Sequence, residues 1–341
     1  MWSKKTDSPP TTPMWRLRVF DLTHLHVEVS SKCVLKCPRC PRTELKEDHP
    51  QINRDYSLEE FQEIFHLDVL PQIKYLSFCG DIGDPIYATD FLEIVGYVKT
   101  TSPSTQVNIV TNGSYKRPEW WRELGSFLNE KDRVTFSIDG WDDASNKIYR
   151  VNSDWDSIIT GLKTLSASSD VNLRWSTILF RFNMHRAEEI RKLASDMGVD
   201  QFDLVRSMKF GSNDPRYLDS QGVDSLEPNN YKEDRVYSRS NLVFGRKYHL
   251  PPAKRDSNAR QACLNGTQMP FVSVDGRFFP CAWFGSGYME NDFLEKYQDR
   301  VNVRSRGFDA VLNDPCWQEL KMRWEMFPPA ICKFKCGGHG Q

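Results

Sequence analysis

The sequence holds no apolar run of the roughly 20 residues that a membrane-spanning helix needs. Its first residues, Met1-Trp2-Ser3-Lys4-Lys5-Thr6-Asp7, lack the apolar core of a secretory signal. It has almost no net charge: 45 Lys and Arg stand against 46 Asp and Glu, giving −1. That excludes the global basic field of a non-specific nucleic-acid binder, so no nucleic-acid partner is expected. There are no long repeats and no low-complexity tracts. These absences point to a globular protein of the cytoplasm with no membrane partner.

At 341 residues the chain is long for one compact domain, so a large domain with a smaller companion is expected. The nine cysteines are clustered. Cys33, Cys37 and Cys40 form one group and Cys263, Cys281, Cys316, Cys332 and Cys336 another, with only Cys79 between. Cytoplasmic thiols stay reduced, so close spacing indicates metal sites or catalysis more than disulfides. Two separate inorganic sites are the simplest account.

Residues 1–18 carry Ser, Thr and Pro without periodicity and read as a flexible tail. Strands are then expected at His24–Ser31, Lys74–Gly80, Gln106–Gly113, Arg133–Asp139, Asn172–Phe180 and Gln201–Arg206, each rich in β-branched or aromatic residues. Helical patterns alternate with them: one opened by the capping box Ser57-Leu58-Glu59-Glu60, then Phe91–Val98, Pro118–Leu128, Trp155–Leu165 and Met184–Met197. Six β–α repeats with short loops predict an α/β fold, a partial (β/α)6 TIM-like barrel over residues 19–208. A closed barrel would need two further units. Residues 209–260 are polar and locally basic and read as a connector. From 261 to 341 the pattern predicts a β-hairpin, Phe271–Val274 and Arg277–Phe279 about a turn at Asp275-Gly276, and a helix over Phe308–Glu325.

Cys33-x3-Cys37-x2-Cys40 follows the first expected strand, at the end where α/β barrels place their chemistry. Structural zinc normally takes four protein ligands. A four-iron cluster on three thiolates instead leaves one iron open. A zinc knuckle borrowing a distant ligand such as His49 is the structural alternative.

This triad, in a chain of six β–α units, resembles the radical S-adenosylmethionine superfamily. The resemblance implies a 4Fe–4S cluster whose open iron binds the amino and carboxylate groups of methionine. Its reduction cleaves S-adenosylmethionine to a 5′-deoxyadenosyl radical, which abstracts a substrate hydrogen. A flavodoxin- or ferredoxin-type reductant would supply the electron. The residue before the third cysteine, often an adenine-holding aromatic in that family, is Arg39.

Other positions are similar to the family's cofactor pocket. Phe78-Cys79-Gly80-Asp81-Ile82-Gly83-Asp84-Pro85 occupies the place of its Gly-Gly-Glu-Pro, with Ile82 for the first Gly and Asp84 for Glu. The resemblance assigns Gly80, Asp81, Gly83 and Asp84 to the methionine end, and Asn112 of Thr111-Asn112-Gly113 to the same pocket. Ser137 and Asp139 share a face by alternation and are expected at the ribose. Arg150 resembles the partner of the methionine carboxylate. Each of these alone could be an ordinary strand-end turn. No general acid or base is legible.

The C-terminal cysteines flank the expected hairpin and close with Cys332-x3-Cys336. This is similar to the twitch module, the short form of the SPASM extension that carries an auxiliary cluster. The expected ligands of a second 4Fe–4S cluster are Cys263, Cys281, Cys332 and Cys336. Cys316 falls alone on an expected helix and reads as a buried hydrophobe. A four-thiolate zinc site remains the alternative on ligand count. The expected reaction is oxidation of a small molecule, such as a sugar or cyclitol, with the auxiliary cluster accepting an electron. Peptide or protein modification is the rival, and the absence of a legible leader-binding domain weighs against it.

Overall fold

The computed structural model describes residues 20, 22–44, 53–206, 226, 242–243, 263, 269–285, 292–326 and 332. The expected tail, most of the connector, His49 and Cys336 lie outside them. Among the described residues nine strands form one open sheet: β1 (His24–Val27), β2 (Tyr75–Phe78), β3 (Gln106–Thr111), β4 (Arg133–Ser137), β5 (Asn172–Leu179), β6 (Gln201–Arg206), β7 (Leu242–Val243), β8 (Phe271–Val272) and β9 (Phe278–Phe279). Their order is β7-β6-β5-β4-β3-β2-β1-β8-β9. Strands β1 to β6 are all parallel, each paired with its sequence neighbour, which is the expected six-stranded partial barrel.

The helices between the strands are α1 (Pro41–Glu44), α2 (Leu58–Ile64), α3 (Phe91–Thr101), α4 (Pro118–Phe127), α5 (Asp143–Lys147), α6 (Trp155–Ser168) and α7 (Ala187–Asp196). The α2 capping box is formed as expected: Glu60 N–H donates to Ser57 Oγ at 3.1 Å, and Ser57 N–H to Glu60 Oε2 at 3.0 Å. Alternate strand residues, among them Leu25, Val27, Leu76, Phe78, Val107, Ile109, Val134, Phe136, Leu173 and Trp175, pack with Phe61, Ile94, Val98, Trp121, Leu162 and Ile190 of the helices in one apolar core. A buried ion pair stitches this layer. Asp132, fully buried, accepts from Lys99 Nζ, from Val107 N–H at 2.8 Å and from Asn129 N–H at 2.9 Å.

The C-terminal hairpin is present, but it is not a free-standing element. Strand β8 pairs in parallel with β1, His26 against Phe271 and Val27 against Val272, so the hairpin extends the barrel sheet at its β1 edge. Tyr56 fastens it, donating its hydroxyl to the Ser273 carbonyl at 2.9 Å. Then follow α8 (Ala282–Gly285), α9 (Asp292–Tyr297), α10 (Val303–Leu312) and α11 (Cys316–Met326). The single helix expected over Phe308–Glu325 is therefore two. Pro315 cannot donate to a continuing helix, and Asp314 caps the new one by accepting from Cys316 N–H at 2.9 Å. The expected helix at Met184 opens instead as a 3-10 turn, Met184–Arg186, before α7. Among the described residues no helix is long and apolar enough to cross a membrane.

Replacing Asp132 by Ala leaves Lys99 buried without its charge partner and two buried N–H groups without an acceptor. The expected cost is about 3–5 kcal/mol, read as a lowered urea midpoint with an unchanged slope.

Candidate functional site

The strands begin within one residue of where the sequence predicts, β6 spans the expected Gln201–Arg206, and β1 to β5 stop short. β1 ends at Val27 instead of Ser31, β2 at Phe78 instead of Gly80, β3 at Thr111 instead of Gly113, and β4 at Ser137 instead of Asp139. Beyond β2 and β3 the backbone turns into a loop whose N–H groups are taken by a buried carboxylate, and beyond β4 the Asp139 and Gly140 N–H groups are taken by Asn146 Oδ1. Glu28 Oε1 accepts from the successive N–H groups of Asp81, Ile82 and Gly83 at 2.7, 2.6 and 3.2 Å. Three converging N–H groups make an anion-holding concavity of main chain. Burial, with nearby Asp81, pushes the Glu28 carboxyl up to about 7, and the three N–H donors oppose that shift. His26 supports the same turn through its Nε2–H to the Cys79 carbonyl at 2.5 Å, and burial lowers its pKa to about 4, so it is a neutral donor.

The turn has no room for side chains at its glycines. A Cβ on Gly83 would lie 2.1 Å from the Ser30 carbonyl oxygen, and one on Gly80 2.0 Å from that of Gly83. Asp84 closes the turn. Its Oδ1 accepts from Thr111 Oγ1 at 2.8 Å and Ile86 N–H at 3.2 Å, and its Oδ2 from Asn112 N–H at 2.7 Å and Asn112 Nδ2 at 2.6 Å. Burial raises the Asp84 carboxyl to about 6 against these donors.

The cysteine loop is folded by its own polar groups. Arg42 in α1 reaches back to the Ser31 carbonyl at 2.5 Å and the Cys33 carbonyl at 3.1 Å. Lys36 N–H donates to the Val151 carbonyl at 3.0 Å. Leu35 and Cys37 sit in a small apolar cluster with Tyr149, Phe180 and Leu226.

Cys33, Cys37 and Cys40 line one wall of a cavity of about 220 Å³. Gly80, Asp81, Gly83 and Asp84 line it from the turn after β2, and Asn112, Ser137 and Arg150 from the later strand ends. Of the expected pocket residues Asp139 alone does not face it. Asp139 is fully buried and accepts from Arg150 Nε at 2.6 Å and Ile178 N–H at 2.7 Å. The ribose contact expected of it is replaced by the positioning of Arg150, because strand alternation ends at Ser137. Arg39 has φ +61°, is buried, and does not line the cavity either. The apolar surface at the cavity comes instead from Leu35, Ile82, Val110, Tyr149 and Ile178.

Burial, together with Asp84, raises the Cys33 thiol, and burial pushes Cys37 up to about 11 while Arg150 opposes it. Thiols so placed hold their protons until a cation compensates the thiolate charge. Cys33, Cys37 and Cys40 on one wall, with the open cavity on the other side, are a donor set suited to a cluster that keeps one iron free. The Arg150 guanidinium beside main chain bare at two glycines fits the carboxylate and ammonium of an amino-acid cofactor.

Of the second cysteine group, Cys281 follows the hairpin two residues after β9. Cys263, Cys281 and Cys332 are each half-buried against the core, and Trp324 Nε1–H donates to Cys332 Sγ at 3.1 Å. Cys316 opens α11, 2 % exposed and inside that core. Cys336 lies outside the described residues. Sequence reasoning passed over Glu28, Tyr87 and Tyr149. The one available signal was a carboxylate at the end of an apolar strand, at Glu28.

Residues 27–194 match the family described as the Radical SAM superfamily. A Pyrococcus furiosus protein named as the tungsten-containing aldehyde ferredoxin oxidoreductase cofactor-modifying protein is 27% identical over 326 residues, covering 90% of this chain and 83% of its own length. The mycofactocin maturase MftC of Mycobacterium tuberculosis is 26% identical over half of this chain and 41% of its own. Among solved structures, Streptococcus suis SuiB superposes with a TM-score of 0.57 at 15% identity, over 89% of this chain and 68% of that one, a likeness of fold.

Replacing Glu28 by Leu should leave the Asp81, Ile82 and Gly83 N–H groups without their acceptor. The expected loss is about 1–3 kcal/mol for each N–H that stays buried, measured by chemical denaturation, and the turn should become protease-sensitive.

Proposed function

Since this chain belongs to the radical SAM superfamily through residues 27–194 and is an enzyme of that kind, we propose that Cys33, Cys37 and Cys40 hold a 4Fe–4S cluster and that S-adenosylmethionine binds in the cavity before them. The observation that carries this reading is one cavity uniting the three cysteines with Gly80, Gly83, Asp84, Asn112, Ser137 and Arg150. When bound, the cluster and S-adenosylmethionine together supply one-electron cleavage and hydrogen abstraction, with a flavodoxin- or ferredoxin-type protein as reductant. Arg150, held by Asp139, receives the cofactor carboxylate. The turn at 80–83, held by Glu28, offers main-chain carbonyls to its ammonium, and Ser137 meets the ribose.

In the same reading Cys263, Cys281, Cys332 and Cys336 hold a second 4Fe–4S cluster in a twitch-like unit over residues 261–341, joined by 209–260 to the barrel of 19–208. The sequence supports it: Cys263 and Cys281 flank the hairpin, and Cys332-x3-Cys336 follows. The net reaction is the oxidation, in the cytoplasm, of a small molecule such as a sugar or cyclitol, the second cluster taking one electron. Modification of a peptide or of a cofactor precursor is the second reading. It is favoured by relatives named as a maturase and as a cofactor-modifying protein.

Anaerobically reconstituted enzyme should bind about eight irons, and the joint replacement of Cys33, Cys37 and Cys40 by Ala should halve that and abolish 5′-deoxyadenosine formation. Undiminished formation in the triple variant would sink the proposal. Deuterium transfer from labelled sugars, cyclitols and peptides into 5′-deoxyadenosine separates the substrate readings. A product at the oxidation level of its substrate would rule out the oxidase.

A further inference from the structure

Asn112 is a cavity side chain whose orientation is fixed at both ends. Its Oδ1 accepts from Ser114 N–H at 3.0 Å and from the Tyr87 hydroxyl at 3.2 Å. A main-chain N–H can only donate, so the atom facing it is the amide oxygen, and the NH2 group must point the other way. There Nδ2 meets Asp84 Oδ2 at 2.6 Å and Cys33 Sγ at 3.7 Å. The two amide hydrogens thus have one acceptor each, a carboxylate and a sulfur. Asp84 also holds the Asn112 main-chain N–H at 2.7 Å, so backbone and side chain are clamped by the same oxygen.

We propose that Asp84 and Asn112 form a positioning unit that presents a fixed N–H to the Cys33 sulfur and thereby raises the reduction potential of the cluster held there. This rests on the reading that Cys33 is a cluster ligand, and it goes beyond it by giving Asn112 a role toward sulfur. Reduction adds negative charge that is shared with the sulfurs. An N–H donor to a ligand sulfur stabilises that charge, and such hydrogen bonds are among the determinants of cluster potential. The donor costs no reorganisation, because Ser114, Tyr87 and Asp84 have already oriented it. Asp84 stands where the resemblance places a Glu. Its shorter side chain reaches the Asn112 main chain and side chain together, and its oxygens are committed there instead of to the cavity.

The test is a potentiometric titration of reconstituted enzyme, following the paramagnetic signal that S-adenosylmethionine perturbs, which separates the first cluster from the second. Asn112→Leu keeps the shape and removes the donor. Its potential should fall by about 59 mV, a tenfold change in the reduced-to-oxidised ratio at fixed poise, with iron content unchanged. Unsubstituted enzyme carrying isotope-labelled asparagine should show a nitrogen coupling to the reduced cluster in double-resonance spectra. This second measurement stands even where Asn112→Leu fails to load iron. An unchanged potential in an iron-replete Asn112→Leu enzyme overturns the proposal, as does the absence of that nitrogen coupling. If no cluster signal responds to S-adenosylmethionine at all, the underlying assignment of Cys33 falls, and this proposal with it.

Discussion

The site depends on a constraint of parallel sheets. Each strand that ends in a water-poor mouth leaves main-chain N–H groups that need acceptors. Here buried carboxylates meet part of that need, and the Asn146 amide oxygen meets it for the Asp139 and Gly140 N–H groups after β4. Glu28 takes three N–H groups of the turn after β2, Asp84 takes those of Ile86 and Asn112, and Asp139 takes that of Ile178. Each anion crosses to a neighbouring segment, so the loops are tied to one another as well as to their strands. The same anions decide what is left to face the cavity. Asp139 commits Arg150, and Asp84 commits Asn112, so the cations and amides at the mouth arrive already oriented.

The chemistry of the site was legible because it is carried by residues whose spacing is constrained. Three cysteines within eight positions, and glycines where a Cβ would fall about 2 Å from a carbonyl oxygen, leave few alternatives. Strand starts were legible for a similar reason, since β-branched and aromatic alternation begins there. Strand ends were not. Val29, Ser30 and Ser31 continue the pattern of β1, yet the pairing stops because Glu28 turns its side chain to the next loop and Ser30 to Asp55 at 2.6 Å. Asp139 was placed by alternation from Ser137, and alternation fails one residue after a strand ends.

Long-range pairing was the other illegible feature. Nothing in Phe271-Val272 announces that its partner is His26-Val27, some 245 residues away. The two pieces meet because β1 would otherwise be an exposed sheet edge, with its unpaired N–H and C=O groups open. The hairpin covers that edge and brings Phe271 and Phe279 into the barrel's apolar core. Cys281 of the second cysteine group follows that hairpin directly.

The alternation within the strands sets what the open barrel presents on its inner face. Parallel strands buried on both faces are usually apolar throughout. Here one face, toward the helices, is apolar, while the other carries Ser77, Asn108, Arg133, Thr135, Arg174, Ser176 and Asp203. Asn108 Nδ2 donates to Ser77 Oγ at 2.8 Å and Arg174 pairs with Asp203, so part of this face bonds laterally along the sheet, while Arg133 Nε, Gln201 Oε1 and Asp203 Oδ1 are buried without a hydrogen-bond partner. Side chains that bond sideways do not form the apolar layers that plug a closed eight-stranded barrel. This polarity leaves a face able to hydrogen-bond a polar molecule, two strand residues below Ser137 and the cavity. A polar inner face and a cysteine-lined mouth are thus consequences of a single pattern. Apolar residues pack outward against the helices, polar residues face inward, and buried carboxylates close the loops where the strands end.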